Sequence, residues 1–490
     1  MSNTYDVAVV GGGPGGYVAA IRAGQYGMKT VLFEGEALGG TCLNWGCIPT
    51  KAMLHSCDLL HEMAGAGKLG IDLGGAEPKP DMSKLYAYKN KAVKKLTGGV
   101  KSLLQGGGVE IVTGTAELAD AHTLRLSGSH DATYTANNIV LAMGSQVVVP
   151  PIPGLAEAGY WTSRSFLADD PDLPESMIII GGGVIGAEFA GILNDLGVDV
   201  TVVEMMEQLL PRMDAEVAET LRKSFKKAGI AVETGVKVTA VAAAGGSSAA
   251  AAGSSGAGSS ADGSRATKRV TIQDADGERT LEAQELMVAV GRSARTEMVG
   301  LDAAGVRTTK SGIAADENQQ TSVPHIYAIG DVTGRWQLAH AASADALAAV
   351  DHIAGKPNYS NRDTVASCVY TRPEIAAVGM TLEQAHEAGH EAVEGSFPIA
   401  ANSKSSIMGE STGFVKIVSD EKSGAVLGAH LIGPRATDLV AELALAMSAE
   451  VTVEEVGATI HPHPTVSEAV MEAIHDIEGL SVHKPAPRRK

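Results

Sequence analysis

Cys42 and Cys47 stand in Gly39-Gly-Thr-Cys42-Leu-Asn-Trp-Gly-Cys47-Ile-Pro-Thr-Lys51, close enough in sequence to work as a pair. Two such thiols can trade electrons with a substrate dithiol if their Cα atoms come within about 7 Å. A regular helix would separate them by roughly 7.5 Å along its axis, so the turn between them must be compact and not fully helical. Pro49 suits the first turn of a helix. That sets Cys47 just before a helix N-terminus, where the dipole favours a thiolate. Lys51 then falls in the first turn, a poor place for a cation, which suggests a specific partner such as a carboxylate or a cofactor. Thiol exchange also needs a base. In His461-Pro-His463-Pro464-Thr465-Val-Ser467-Glu468, prolines flank His463 and Glu468 can orient its ring, as an acid does in a catalytic triad. Thr465-x-x-Glu468 also matches a capping box. The two roles are compatible only in part, since one carboxylate must reach both groups. His461, Cys57 and Cys368 read as structural.

The elements that must position these residues are written twice. Strand Tyr5–Val10 leads into Gly11-Gly-Gly13-Pro-Gly-Gly16 and a helix. Strand Met177–Ile180 leads into Gly181-Gly-Gly183-Val-Ile-Gly186 and a second helix. A further strand in each copy, Lys29–Phe33 and Asp199–Val203, delivers Glu34 and Glu204, each 23 positions after the first glycine. Two glycines let the backbone turn tightly and approach a pyrophosphate at the helix N-terminus. The third allows close helix–strand packing, and the acid bonds a ribose hydroxyl. The repetition in one context makes the signal strong and implies two different dinucleotides. Glu204, with no arginine nearby, would repel a 2′-phosphate, so the second site reads as NAD rather than NADP.

Ile139-Val-Leu-Ala142-Met-Gly144 reads as a strand leaving the first domain, Val288-Ala-Val-Gly291-Arg292 as another strand exit, and Tyr327-Ala-Ile-Gly330-Asp331 as a strand delivering an acid at its C-terminal end, where ligands bind in open α/β sheets. Residues 242–266 are nearly all Ala, Gly and Ser, a flexible insertion between two strands. After Asp351, strands Val415–Val418 and Ala425–Ile432 and helices over 438–449 and 467–474 read as a separate α+β domain.

The chain has 490 residues, a net charge of −18 and four cysteines. The acidity argues against nucleic acid and against adsorption to an anionic membrane. The few cysteines fit a reducing cytosol. No signal peptide or membrane span is visible. The basic stretch 483–490 reads as a solvated terminus.

These residues resemble the pyridine nucleotide–disulfide oxidoreductases, over essentially the whole chain apart from the insertion and the last dozen residues. The matching stretches are the Cys42–Lys51 segment, Gly15-Gly16-Tyr17 through Arg22, Gly183-Val-Ile-Gly186-Ala-Glu188, Tyr327 to Asp331, Tyr370-Thr-Arg-Pro-Glu374, and His463-Pro-Thr465 with Glu468. The resemblance implies an α/β fold with two Rossmann-like dinucleotide-binding domains, for FAD and NAD, plus a C-terminal α+β dimerisation domain. The corresponding bounds are 1–150 for FAD, 151–285 for NAD, 286–351 for a central segment completing the FAD domain, 352–475 for the interface and 476–490 for a tail.

By the same resemblance FAD is held by Gly11, Gly13, Gly16, Glu34, Lys51, Gly144, Asp331 and Ala339, and NAD by Gly181, Gly183, Gly186, Glu188, Glu204 and Gly291, with Lys51 and Glu188 paired near the flavin. Cys42 exchanges with substrate, Cys47 faces the flavin as the charge-transfer thiolate, and His463 with Glu468 is the acid/base acting on the cysteines of the other subunit of a homodimer. No metal is implied. The implied reaction is NAD-dependent oxidation of dihydrolipoamide on lipoyl-bearing subunits of a 2-oxo acid dehydrogenase or glycine-cleavage complex. Reductases of glutathione-like thiols mostly prefer NADP, and the paired C-terminal cysteines of mercuric reductase are absent, since no cysteine follows Cys368. Two departures stand out: Ala142-Met143-Gly144 where the family has alanine-threonine-glycine, and Ala294-Arg295 where it has proline-asparagine.

Overall fold

The computed structural model describes residues 4–126, 133–243, 267–297, 300–358 and 361–484. It divides into two compact units, one of residues 1–150, 161–172 and 291–362, the other of residues 151–160, 173–290 and 363–490.

In the first unit, strand Thr4–Val10 lies between Thr30–Glu34 and Thr133–Leu141, all parallel, with Glu110–Thr113 beyond Thr30–Glu34 and Ile326–Ala328 parallel to Thr133–Leu141. Ala8 and Val10 enter one apolar cluster and Val7 and Val9 another. A strand buried on both faces needs an unbroken apolar run, which is what Val7-Ala-Val-Val10 supplies. Each fully buried valine contributes roughly 1.5–3 kcal/mol.

The second unit repeats the pattern. Parallel strands run in the order Ala231–Glu233, Asp199–Val203, Ser176–Ile180, Glu285–Val288. An antiparallel meander, Lys237–Ala243, Lys268–Asp274 and Gly277–Ala283, accompanies them. Ala242 and Ala243 belong to its first strand, pairing with Arg269 and Lys268; the rest of the expected insertion, 244–266, lies outside the described residues. The C-terminal part is an antiparallel five-stranded sheet, in which Phe414–Asp420 and Val426–Ile432 pair as neighbours. Helices Ala436–Ser448 and Glu468–Ile477 pack on it.

The basic end is solvated at His483, as expected, but its described side chains make specific bonds. His483 Nδ1 bonds Glu472 Oε1 at 2.7 Å, and Lys484 Nζ bonds Asp476 Oδ2 at 2.6 Å. These two residues are tied to helix Glu468–Ile477 because buried Glu472 and partly buried Asp476 need partners; residues 485–490 lie outside the described residues.

Candidate active site

The two glycine loops are near copies. Gly11 and Gly181 take φ of +104° and +112°. A Cβ on Gly16 would stand 1.7 Å from the Gly11 carbonyl oxygen, and one on Gly186 would stand 1.9 Å from that of Gly181. Only glycine closes either turn. Gly13 and Gly183 cap helices Pro14–Gln25 and Val184–Asp195, with φ/ψ of −71°/−174° and −72°/−171° and no side chain bonded to the helix ends. A Cβ on Gly13 would meet only Gly40 Cα at 3.9 Å, and one on Gly183 would meet nothing within 4 Å. The approach to each helix N-terminus is therefore clear for a phosphate.

Glu34 Oε2 accepts from Gly12 N at 2.7 Å and Oε1 from Glu36 N at 2.7 Å. Glu204 Oε2 accepts from Gly182 N at 2.6 Å and Oε1 from Met206 N at 2.8 Å. A carboxylate has about four acceptor sites, so each acid is fixed by its own loop and keeps capacity for ribose hydroxyls. Both loops fit a dinucleotide.

The cysteine segment packs directly on the first loop. Gly39 N donates to Gly12 O at 2.8 Å, and a Cβ on Gly40 would reach Gly13 Cα at 2.7 Å. Cys42 lies in helix Gly40–Trp45 and Cys47 opens helix Cys47–Gly65, with Gly46 between them at φ −142°, ψ −120°. The turn is the non-helical one a dithiol requires. Because the helix begins at Cys47 itself, Lys51 is its fifth residue and sits past the first turn, which removes the electrostatic objection to a lysine there.

Both cysteines are thiols. Cys42 is hydrogen-bonded to Cys47; that bond and burial push the Cys42 thiol well up, with the Lys51 charge acting in the opposite direction. Cys57 is buried, and Cys368 packs at the edge of the C-terminal core.

Asp331 lies at the C-terminal end of Ile326–Ala328 in a short turn, Gly330–Thr333. Ser145 donates to its carboxylate, Arg292 Nε bonds Ser145 Oγ at 2.8 Å, and Arg292 Nη2 bonds Ser145 O at 2.8 Å. Burial raises Asp331 above the usual carboxylate range, against the opposing pull of Ser145 and Arg292. Sequence reasoning missed Ser145 and gave Arg292 no role; no local pattern marks partners this far apart in the chain. Gly144 has φ of +72°, and its carbonyl accepts from Arg295 N at 3.0 Å. The departing Ala294-Arg295 thus still holds the strand exit. Ala339 opens helix Ala339–Ile353. Gly291 belongs to the same unit and accepts from Val148 N at 3.0 Å.

In the second unit, Glu188 is buried on helix Val184–Asp195 and accepts from Tyr370 N at 3.0 Å. His463 Nδ1 bonds Glu468 Oε1 at 2.9 Å, while Glu468 Oε2 accepts from Thr465 N, also at 2.9 Å. The conflict between base-orienting and capping is resolved by giving one oxygen to each. The capping box is only half formed: the Thr465 hydroxyl donates to Pro462 O at 2.7 Å, and Ser467 is the residue before the helix. An ionised carboxylate only accepts, so His463 carries its proton on Nδ1 and presents Nε2 as the acceptor. His461 is held by Thr459 O and Glu442 Oε1, each at 2.9 Å.

Residues 5–346 match the pyridine nucleotide-disulphide oxidoreductase family, and residues 365–474 match that family's dimerisation domain. The chain belongs to this family of enzymes, whose members use FAD and NAD(H); the dimerisation domain supports a homodimer.

Among curated relatives it is similar to the dihydrolipoyl dehydrogenases of Haloferax volcanii, 40% identical over 485 residues with 98% of this chain and 97% of that one covered, and of Bacillus subtilis, 38% identical over 501 residues with 99% and 100% covered. Among solved structures it is similar to LpdA from Mycobacterium tuberculosis, with a TM-score of 0.83, 28% identity and 96% and 98% covered. It is also similar to the HOCl-induced flavoprotein disulfide reductase RclA from Escherichia coli, with a TM-score of 0.81, 26% identity and 96% and 99% covered. Among the described residues, no group of three or more His, Cys, Asp or Glu side chains could hold a metal, and no helix is long and apolar enough to cross a membrane.

Proposed function

We propose that this chain is a dihydrolipoyl dehydrogenase, oxidising dihydrolipoamide on a lipoyl-bearing subunit of a 2-oxo acid dehydrogenase or glycine-cleavage complex and reducing NAD+. The observation that carries the reading is the Cys42–Cys47 pair, two hydrogen-bonded thiols on either side of the non-helical Gly46 turn and packed on the first glycine loop. The setting is a reducing cytosol, supported by a cysteine count of four.

FAD is held by Gly11, Gly13, Gly16, Glu34, Lys51, Gly144, Asp331 and Ala339, and NAD by Gly181, Gly183, Gly186, Glu188 and Glu204. When bound, FAD supplies the two-electron link between the cysteine pair and the nicotinamide.

The chain's own residues do the thiol chemistry. His463 of the partner subunit takes a proton from one substrate thiol through Nε2, with Glu468 holding Nδ1–H and stabilising the imidazolium. The substrate thiolate attacks the Cys42 sulfur of the Cys42–Cys47 disulfide, and Cys47 leaves as thiolate. The second substrate sulfur closes onto the first, losing its proton to solvent. Cys42 leaves and takes the proton held on His463. The substrate dithiol is oxidised by two electrons, and the protein disulfide is reduced by two. A Cys42 thiol with a raised pKa is a poor leaving group unless it is protonated, which is why a positioned acid/base is needed.

The test is steady-state turnover of the FAD-loaded protein with dihydrolipoamide and NAD+, beside NADPH-dependent reduction of glutathione disulfide. The reading requires NAD+ and dihydrolipoamide to be the preferred pair, with Cys42→Ser and Cys47→Ser both inactive. Faster turnover of glutathione disulfide, or activity surviving either serine, would overturn it.

A further inference from the structure

Trp45 stands between the two cysteines, as the last residue of helix Gly40–Trp45 and directly before the Gly46 break. The rest of the turn is fixed by neighbours. Leu43 is buried, Asn44 Nδ2 donates to Leu38 O at 3.1 Å and Gly40 O at 2.8 Å, and Thr50 Oγ1 donates to Gly46 O at 2.7 Å. Trp45 is half-buried, and the Arg164 guanidinium carbon lies 4.3 Å from its ring centroid.

Arg164 is the second residue of helix Ser163–Asp169, whose start is capped by Thr162 and Ser165. Its Nη2 also pairs with Glu36, and Glu36 N is in turn bonded to Glu34. Arg164 and Glu36 are both about 40% exposed, so their ion pair alone adds little. What the pair does is fix the plane of a guanidinium, the cation that stacks best, over the aromatic face it favours most. Arg292, whose charge is felt by Cys47, also feels Arg164 and Arg295 as like charges. Arg164 is thus held on one side by Glu36 and on the other by the Trp45 ring.

We propose that Arg164 is a positioning residue for the redox turn: anchored by Glu36, its guanidinium clamps the Trp45 ring and keeps Cys42 in register with Cys47 across the Gly46 hinge. The inference rests on the redox role proposed above for the pair. Glycine is the most freely rotating residue in the chain, so a turn hinged on it depends on the side chains at its flanks. Releasing Trp45 lowers the effective concentration of one thiol against the other and favours the open dithiol over the disulfide.

The test is the thiol–disulfide equilibrium of the FAD-loaded enzyme in glutathione buffers. In it two glutathione thiols reduce the Cys42–Cys47 bond to give two protein thiols and one glutathione disulfide. Alkylation and mass spectrometry count the two forms. Arg164→Met and Arg164→Gln are expected to shift the equilibrium constant toward the dithiol by about threefold to tenfold, the range for loss of one cation–π contact. Arg164→Lys should shift it by less than about twofold. Trp45→Val should match Arg164→Met, and the double variant should shift no further than either. An unchanged equilibrium in both Arg164→Met and Arg164→Gln, or additive shifts in the double variant, would overturn the clamp. The measurement uses neither NAD+ nor dihydrolipoamide, so a failure of the proposed reaction and a failure of the clamp are read separately.

Discussion

Replacing Glu468 by glutamine separates the two tasks of that side chain. The carboxylate gives Oε1 to His463 Nδ1 and Oε2 to Thr465 N, both at 2.9 Å. Glutamine has one acceptor oxygen and one donor nitrogen in the same positions. If the oxygen stays on Thr465 N, the amide nitrogen faces Nδ1 and donates to it. The imidazole proton then moves to Nε2, the atom that must accept from the thiol. The variant thus holds the ring in place with the wrong tautomer. Loss of general acid–base catalysis costs ~10²- to 10⁴-fold, equivalent to about 2.7–5.4 kcal/mol of transition-state stabilisation. Stability should change little, by less than ~1 kcal/mol, because Thr465 N keeps its acceptor.

The assay for that variant is kcat/KM for dihydrolipoamide, followed by NADH formation, alongside denaturant unfolding. Glu468→Ala is the companion: it should lose both activity and about 1 kcal/mol of helix-end stability. The wild-type arrangement is robust to mild acid. Burial alone would raise Glu468, but Thr465 N–H and His463 outweigh it and hold the carboxyl below its usual range. A lowered pKa means the anchoring is complete above the usual carboxylate range and fails only as pH falls through the lowered value. A Glu468→Gln enzyme retaining kcat/KM within about tenfold of wild type would refute the reasoning and leave Glu468 as a helix cap.

Gly16→Ala should abolish FAD retention after gel filtration, because its Cβ would meet the Gly11 carbonyl oxygen at 1.7 Å. Asp331→Asn should make the apoprotein more stable to denaturant at neutral pH while weakening FAD binding at least about tenfold, since burial raises Asp331 and its ionised form destabilises the fold. The sign follows: a raised pKa favours the folded state below the unfolded value, and the benefit is lost as pH rises through the folded value, so the gain from asparagine should shrink in acid. Glu204→Ala should raise the KM for NAD+ by about tenfold or more with little effect on FAD content, because Glu204 bonds Gly182 N of the second loop and is the proposed partner of the NAD ribose.

The features legible in the sequence were those whose physics is local. The two glycine loops demand particular backbone conformations over six residues, so their residue types announce them. The structure gives Gly13 and Gly183 nearly the same dihedrals. The Cys42–Cys47 turn and the His463–Glu468 pair likewise span only a few residues. Features built from distant partners were not legible. Asp331 is held through Ser145 and Arg292, and Lys416 lies buried against Asp214, 202 positions away. In the tail, His483 is exposed as expected, but nothing local shows that it and Lys484 bond Glu472 and Asp476. Alanine-rich and apolar periods reveal that a strand or helix exists, but not which side chain from another element completes a buried polar group.

The central claim is that Cys42 exchanges with substrate and Cys47 does not. The direct measurement is intact-protein and peptide mass spectrometry of the FAD-loaded Cys47→Ser and Cys42→Ser enzymes after incubation with lipoamide. In Cys47→Ser, the Cys42 sulfur should open the lipoamide ring to a stable mixed disulfide, the released substrate sulfur taking up one proton, with the adduct mapping to the Cys42 peptide. Cys42→Ser should carry no adduct on Cys47. An adduct on Cys47, or none on Cys42, would contradict the account.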